Sequence, residues 1–142
     1  MKKNVKSHEK SPDCLKILFA DDEPTLQELM SLELPRMGHE VTVCPDGATA
    51  AAALERNTYD CLLVDLDMPG MSGIEVITRA RELSPETEAV VLTGKSSLNS
   101  AVAALRQGAF DYLTKPCTPS KIMEKVNSRV TWAVLFLINI IF

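Results

Sequence analysis

Short apolar runs and amphipathic stretches alternate along this chain, five of each, and that alternation admits few folds. Lys16 to Ala20 reads as a first strand, apolar after its lysine. Glu40 to Val43, Cys61 to Val64, Ala89 to Leu92 and Asp111 to Leu113 read as strands two to five. A strand that is apolar throughout is one covered on both faces. The segment after the first strand opens with Pro24, places Leu26, Leu29, Met30, Leu34 and Met37 at helical spacing, and stops at Gly38. Pro35 should kink or shorten its last turn. Asp46 is placed to cap an alanine-rich helix from Ala48 to Arg56. Further helices are expected from Ile74 to Leu83, from about Leu98 to Gln107, and from Thr118-Pro119 onward. Strand and helix in alternation, joined by short connections, predict an α/β fold: a five-stranded parallel sheet with helices on both faces.

Right-handed crossovers restrict the strand order. The doubly wound, flavodoxin-like order 2-1-3-4-5 sets strands one and three side by side. Polar residues then gather at one edge. Asp21-Asp22 follows strand one, Asp65 follows strand three, Thr93 follows strand four, and Lys115 lies just past strand five. In open α/β sheets this is the edge where ligands bind. A hard cation such as Mg²⁺ (or Mn²⁺) takes oxygen ligands. Asp21, Asp22 and Asp65 supply carboxylates, and Asp67 can add its backbone carbonyl. Asp65 is the candidate nucleophile, since a carboxylate can attack phosphorus and carry an aspartyl phosphate. Lys115 would hold a phosphate oxygen, Thr93 would donate a hydrogen bond, and Gly94 would leave room.

Each residue also has a plain structural alternative. One aspartate of the pair could cap a helix, Thr93 could bond to backbone, and Tyr112 could be a half-buried aromatic. A lone lysine is usually just solvated. The shared edge favours the functional reading.

With 142 residues the chain suits one domain, and its net charge of −4 argues against direct nucleic-acid binding. Cys14, Cys44, Cys61 and Cys117 form no CxxC pair, which fits a reduced cytosolic chain. Residues 1–13 carry Lys2, Lys3, Lys6 and Lys10 without an apolar segment. They read as a disordered basic lead-in rather than a secretory signal.

From Leu15 to Asn127 the chain resembles the receiver domain of two-component response regulators. The residues that carry the likeness are Asp21-Asp22 after strand one, Asp-x-x-Met-Pro-x-x-x-Gly at Asp65 to Gly73, Thr93-Gly94, and Tyr-x-x-Lys-Pro at Tyr112 to Pro116. The stretch Gly108 to Pro116 is most similar to receivers of the enhancer-binding, nitrogen-regulation kind. The resemblance implies phosphoryl transfer from a sensor histidine kinase to Asp65. It implies Asp22 as a direct metal ligand, with Asp21 acting through water or by positioning. Thr93 and Tyr112 would be a switch pair that alters the face of helix four, strand five and helix five. Dimerisation on phosphorylation is plausible on this view. Specificity for the kinase would lie around the first helix, at residues such as Gln27, Glu28, Ser31 and Glu33. As a lifetime device, Asp67 and Lys95 would pair across the mouth of the site and obstruct water.

One enzyme reading competes. Leu63-Val64-Asp65-Leu66-Asp67 resembles the opening of haloacid-dehalogenase-type phosphatases, which would make Asp65 the nucleophile and Asp67 its partner. In those enzymes the acidic pair comes last in the chain, whereas Asp21-Asp22 comes first here. A pure binding module would need one of the site residues to be missing, and none is.

The receiver domain is expected to span 14–129. Residues 130–142 are apolar except for Thr131 and Asn139, which nothing in the receiver pattern requires. As a helix this tail would reach roughly 20 Å against a hydrocarbon core of about 30 Å, too short to cross comfortably. Membrane contact is the less favoured reading; an oligomerising segment or a terminus altered by truncation or frameshift is the alternative. No Gly-x-x-x-x-Gly-Lys motif of an ATPase follows, so the expectation is a stand-alone receiver or a regulator cut off after its first domain.

Overall fold

The computed structural model describes residues 14–94 and 98–127. Its elements run β1 (Lys16–Ala20), α1 (Pro24–Arg36), β2 (Glu40–Cys44), α2 (Gly47–Arg56), β3 (Cys61–Asp65), α3 (Gly73–Leu83), β4 (Glu88–Thr93), α4 (Leu98–Arg106) and β5 (Asp111–Thr114). A last helix, α5, covers 119–127. All strand pairs are parallel and the order is β2-β1-β3-β4-β5.

Period-two alternation sorts the strand residues into two cores. Leu18 and Ala20 of β1, Leu62 and Val64 of β3, and Ala89 and Val91 of β4 face α2, α3 and α4. There they meet Ala50 and Leu54, then Val76, Ile77 and Ala80, then Ala101 and Ala104. Ile17, Phe19, Cys61, Leu63, Val90 and Leu92 point the other way, against Met30 and Leu34 of α1 and Ile122, Met123 and Val126 of α5. The sheet is thus the middle of three layers, and its central strands are buried throughout.

Several local expectations shift. Pro35 lies inside α1, which runs on one residue to Arg36. A proline so near the end removes one N–H from a turn that is closing anyway, and Gly38, at φ 90°, then turns the chain. Leu29 and Met37 leave the apolar face of α1 and are 38% and 39% exposed; Met30 and Leu34 alone are fully buried. Neither Asp21 nor Asp22 caps α1, whose N-cap is Glu23. Asp46 does cap α2, accepting the Thr49 N–H at 2.7 Å. Residues 1–13, Lys95 and the tail 130–142 lie outside the described residues, so the readings made for them find no structural counterpart. Among the described residues no helix is long and apolar enough to cross a membrane.

Candidate phosphoryl-transfer site

The β1 ladder continues one residue past the strand, with the Asp21 N–H donating to Cys44 O at 3.1 Å. Asp21 is fully buried there. Its Oδ1 accepts the Glu23 N–H at 2.9 Å, and its carbonyl accepts the Gln27 side-chain amide at 2.7 Å. Gln27 therefore braces the site from α1. Asp22 stands exposed beside it.

Asp65 ends β3 and is 4% exposed. Its Oδ1 accepts the Asp67 N–H at 3.1 Å, which turns the chain into the loop toward α3. That loop explains the glycine at Gly73. A Cβ there would overlap Asp65 O and come within 2.8 Å of Leu66 Cα. Only a residue without a side chain lets α3 start against the backbone of Asp65 and Leu66. Oxygens of Asp21, Asp22 and Asp65 all lie within 4.8 Å of one another.

Lys115 reaches the same point from the far side of the sheet. Its N–H donates to Thr93 O at 2.7 Å, extending the β4–β5 ladder, and its bond to Pro116 is cis. Its Nζ lies 2.7 Å from Asp21 Oδ2, 3.3 Å from Asp65 Oδ2 and 3.6 Å from Glu23 Oε2. Residues 17, 19 and 21, like 61, 63 and 65 or 111, 113 and 115, share one side of the sheet by alternation. The charged groups thus converge on the α1–α5 side.

Burial is the main influence on the Asp65 carboxyl, and it outweighs the Asp67 N–H and the Lys115 charge, so the group is pushed up to about 6. For Lys115, burial works against the charge. Contact with Asp21 and the negative charges of Asp21, Asp65 and Glu23 more than offset it, and the ammonium is held above its ordinary value. The arrangement holds a cation firmly and makes an ionised Asp65 costly, as a group awaiting reaction or a metal should be.

Thr93 and Tyr112 belong to the opposite face. Val91 pairs with Tyr112 and Thr93 with Thr114, so Tyr112 and Thr93 point to the same side of the sheet, one pleat apart. Tyr112 packs half-buried against the core that α4 covers. Thr93 is 2% exposed, and its hydroxyl donates to Gly94 O at 3.1 Å. Among the described residues a Cβ at Gly94 would meet nothing within 4 Å. Asp67 is exposed; its expected partner Lys95 lies outside the described residues. Sequence reasoning missed Glu23. A glutamate at a helix N-cap is a poor capping residue, and that was the available signal.

Residues 17–127 match the response regulator receiver domain family. The chain belongs to that family. It is 33% identical over 112 residues to the probable transcriptional regulatory protein TcrX of Mycobacterium tuberculosis, covering 79% of this chain and 48% of TcrX. It thus spans about half the length of that curated relative. A receiver domain from Clostridium thermocellum superposes with a TM-score of 0.77 at 28% identity, covering 85% of this chain and 98% of the other. NtrX from Brucella abortus gives 0.77 at 25% identity, over 86% of this chain and 28% of NtrX, which fits the nitrogen-regulation resemblance. The chain is a receiver domain of two-component signalling, and the phosphatase reading falls: its relatives are response regulators.

Proposed function

We propose that Asp65 is the phosphoacceptor of this receiver, taking a phosphoryl group from a phosphohistidine of a sensor histidine kinase. The observation that supports this above all others is the convergence of Asp65 with Asp21 and Asp22 within 4.8 Å and with the Lys115 ammonium at 3.3 Å. An Asp65 oxygen would form the bond to phosphorus as the P–N bond to the imidazole breaks, the electron pair leaving with the imidazole. Lys115 would neutralise a phosphoryl oxygen. The Thr93 hydroxyl would leave Gly94 O for another, with Tyr112 turning inward behind it. That movement would change what the α4–β5–α5 face binds, including a second copy of the chain. Asp67 and Lys95 would set the lifetime of the modified state.

The donor set fits Mg²⁺ (or Mn²⁺), which prefers carboxylate oxygens. Among the described residues Asp21 Oδ2, buried, has no hydrogen-bond partner, and the Lys115 charge lies 2.7 Å from it. Asp22 and Asp65 would hold the ion directly, Asp67 through its carbonyl, and Asp21 through water or by positioning. When bound it supplies the charge neutralisation that lets an anion approach a carboxylate. On this reading the protein is a cytoplasmic switch that assists its own modification, without catalytic turnover and without direct nucleic-acid contact by this domain.

Incubation with Mg²⁺ and acetyl phosphate tests the assignment. One phosphoryl group per chain is expected in the wild type and none in Asp65→Asn. Equal uptake by the two proteins overturns it.

A further inference from the structure

Lys115 carries three N–H donors, and among the described residues three carboxylates surround them. One contact, to Asp65 Oδ2 at 3.3 Å, is a hydrogen bond, and Asp21 and Glu23 add negative charge at 2.7 Å and 3.6 Å. A phosphoryl oxygen that approaches Lys115 therefore competes with those carboxylates for its charge.

The three partners are not equally easy to displace. Asp21 Oδ2 is buried, is the nearest at 2.7 Å, and has no hydrogen-bond partner to fall back on. Leaving it bare would strand a charge in the interior. Asp65 is the reacting group itself and stays at the centre. Glu23 is different: its side chain is 62% exposed and its carboxylate is the most distant, at 3.6 Å. Water can take over its solvation at little cost.

The position of Glu23 also has no other evident use. It is the N-cap residue of α1, with extended φ and ψ of −80° and 113°, yet its side chain makes no capping hydrogen bond. Its backbone is fixed by the site, the N–H held by Asp21 Oδ1 at 2.9 Å and the carbonyl by the Gln27 N–H at 3.0 Å. Glu23 lines a cavity of about 340 Å³ with Leu26, Lys115, Pro116 and Cys117.

We infer that Glu23 is a positioning residue for phosphoryl uptake: its carboxylate draws on the charge of the Lys115 ammonium in the resting state and must give way to the incoming phosphoryl oxygen. Its charge also opposes the approach of an anionic donor. Glu23 is thereby a brake on phosphorylation, acting through Lys115 and touching no reacting atom. This rests on Asp65 being the phosphoacceptor.

The test compares wild type, Glu23→Gln, Glu23→Asp and Asp65→Asn under saturating Mg²⁺ with acetyl phosphate. In that reaction an Asp65 oxygen bonds to phosphorus, the P–O bond to the acetyl group breaks, and acetate leaves with the electron pair. The initial uptake rate is followed at low salt and again at about 0.5 M salt, where the screening length falls to about 4 Å and the repulsion of an approaching anion is largely screened. Glu23→Gln is expected to take up phosphate about threefold faster than wild type at low salt, the advantage fading at high salt. Glu23→Asp, which keeps the charge, should stay close to wild type. An unchanged or slower Glu23→Gln overturns the inference, as does equal acceleration by Glu23→Asp or an acceleration indifferent to salt. Failure of the wild type itself to take up phosphate would instead sink the phosphoacceptor assignment, and this inference with it.

Discussion

At the residue scale Asp65 is held in a costly state. Its carboxyl is shifted from an ordinary 3.8 to about 6, chiefly by burial. Between those values the folded chain holds a proton that the unfolded chain has released. Stability from this group therefore falls as pH rises through that window, and above about 6 the fold carries a buried charge at constant cost. Asp65→Asn keeps the shape and removes the charge, leaving Lys115 still paired with Asp21 and Glu23. In chelated buffer at pH 7 the variant should be more stable than wild type by about 1 to 3 kcal/mol, and the gain should vanish below about pH 4. Denaturant unfolding at a series of pH values reads this directly. A variant no more stable at pH 7 would show that the charge is accommodated without strain. Such a result would fit a site that is merely structural; a stabilised variant marks one where folding is sacrificed for reactivity.

At the element scale, glycines at the strand ends separate packing from function. Gly73 starts α3 against the backbone of Asp65 and Leu66, neither of which can rotate away as a flexible side chain would. Gly73→Ala should lower stability by about 1 to 3 kcal/mol and slow phosphoryl uptake, because the displaced atoms belong to the nucleophile. Gly94→Ala meets nothing within 4 Å among the described residues, so its thermal midpoint should stay the same or rise slightly while uptake slows, the new methyl group intruding where the proposed phosphoryl group would sit. Measuring both quantities for both variants checks the pair; a Gly94→Ala protein with unaltered uptake would remove that residue from the site. Much at this scale was legible in the chain. β1 falls where the apolar run places it, and the other strands extend by a residue or so into polar ends such as Asp65 and Thr93, whose backbone still pairs. Continuous apolar runs made those strands readable without tertiary knowledge. The face of α1 was less readable: Leu29 and Met37 obey the helical period yet remain well exposed, since periodicity gives a direction but not the width of the neighbour that covers it. The Glu23 and Gln27 contacts were hidden for a similar reason. They depend on where side chains from the start of α1 end up relative to residues 115 and 21, which no local spacing encodes.

At the scale of the whole molecule the acidic cluster exists only because the sheet is assembled. Asp21 and Asp22 follow β1 and Asp65 ends β3; strands separated by α1, β2 and α2 in sequence become neighbours in the 2-1-3-4-5 order. An unfolded chain has no such set of oxygens within 4.8 Å, so a cation held there binds the folded state alone. Binding of this kind stabilises by mass action: at a Mg²⁺ concentration a hundred times the dissociation constant the gain is about 2.7 kcal/mol. For a domain of this size that amounts to an upward shift of roughly 10 °C in thermal midpoint, reversed by chelator. Asp22 offers the sharper control, because it is exposed and takes no part in the packing that positions Asp21 and Asp65. Asp22→Asn should fold as well as wild type without metal and lose most of the Mg²⁺-dependent shift. A midpoint indifferent to Mg²⁺ in the wild type, or an undiminished shift in Asp22→Asn, would mean that the carboxylates gathered by the sheet serve only to hold Lys115.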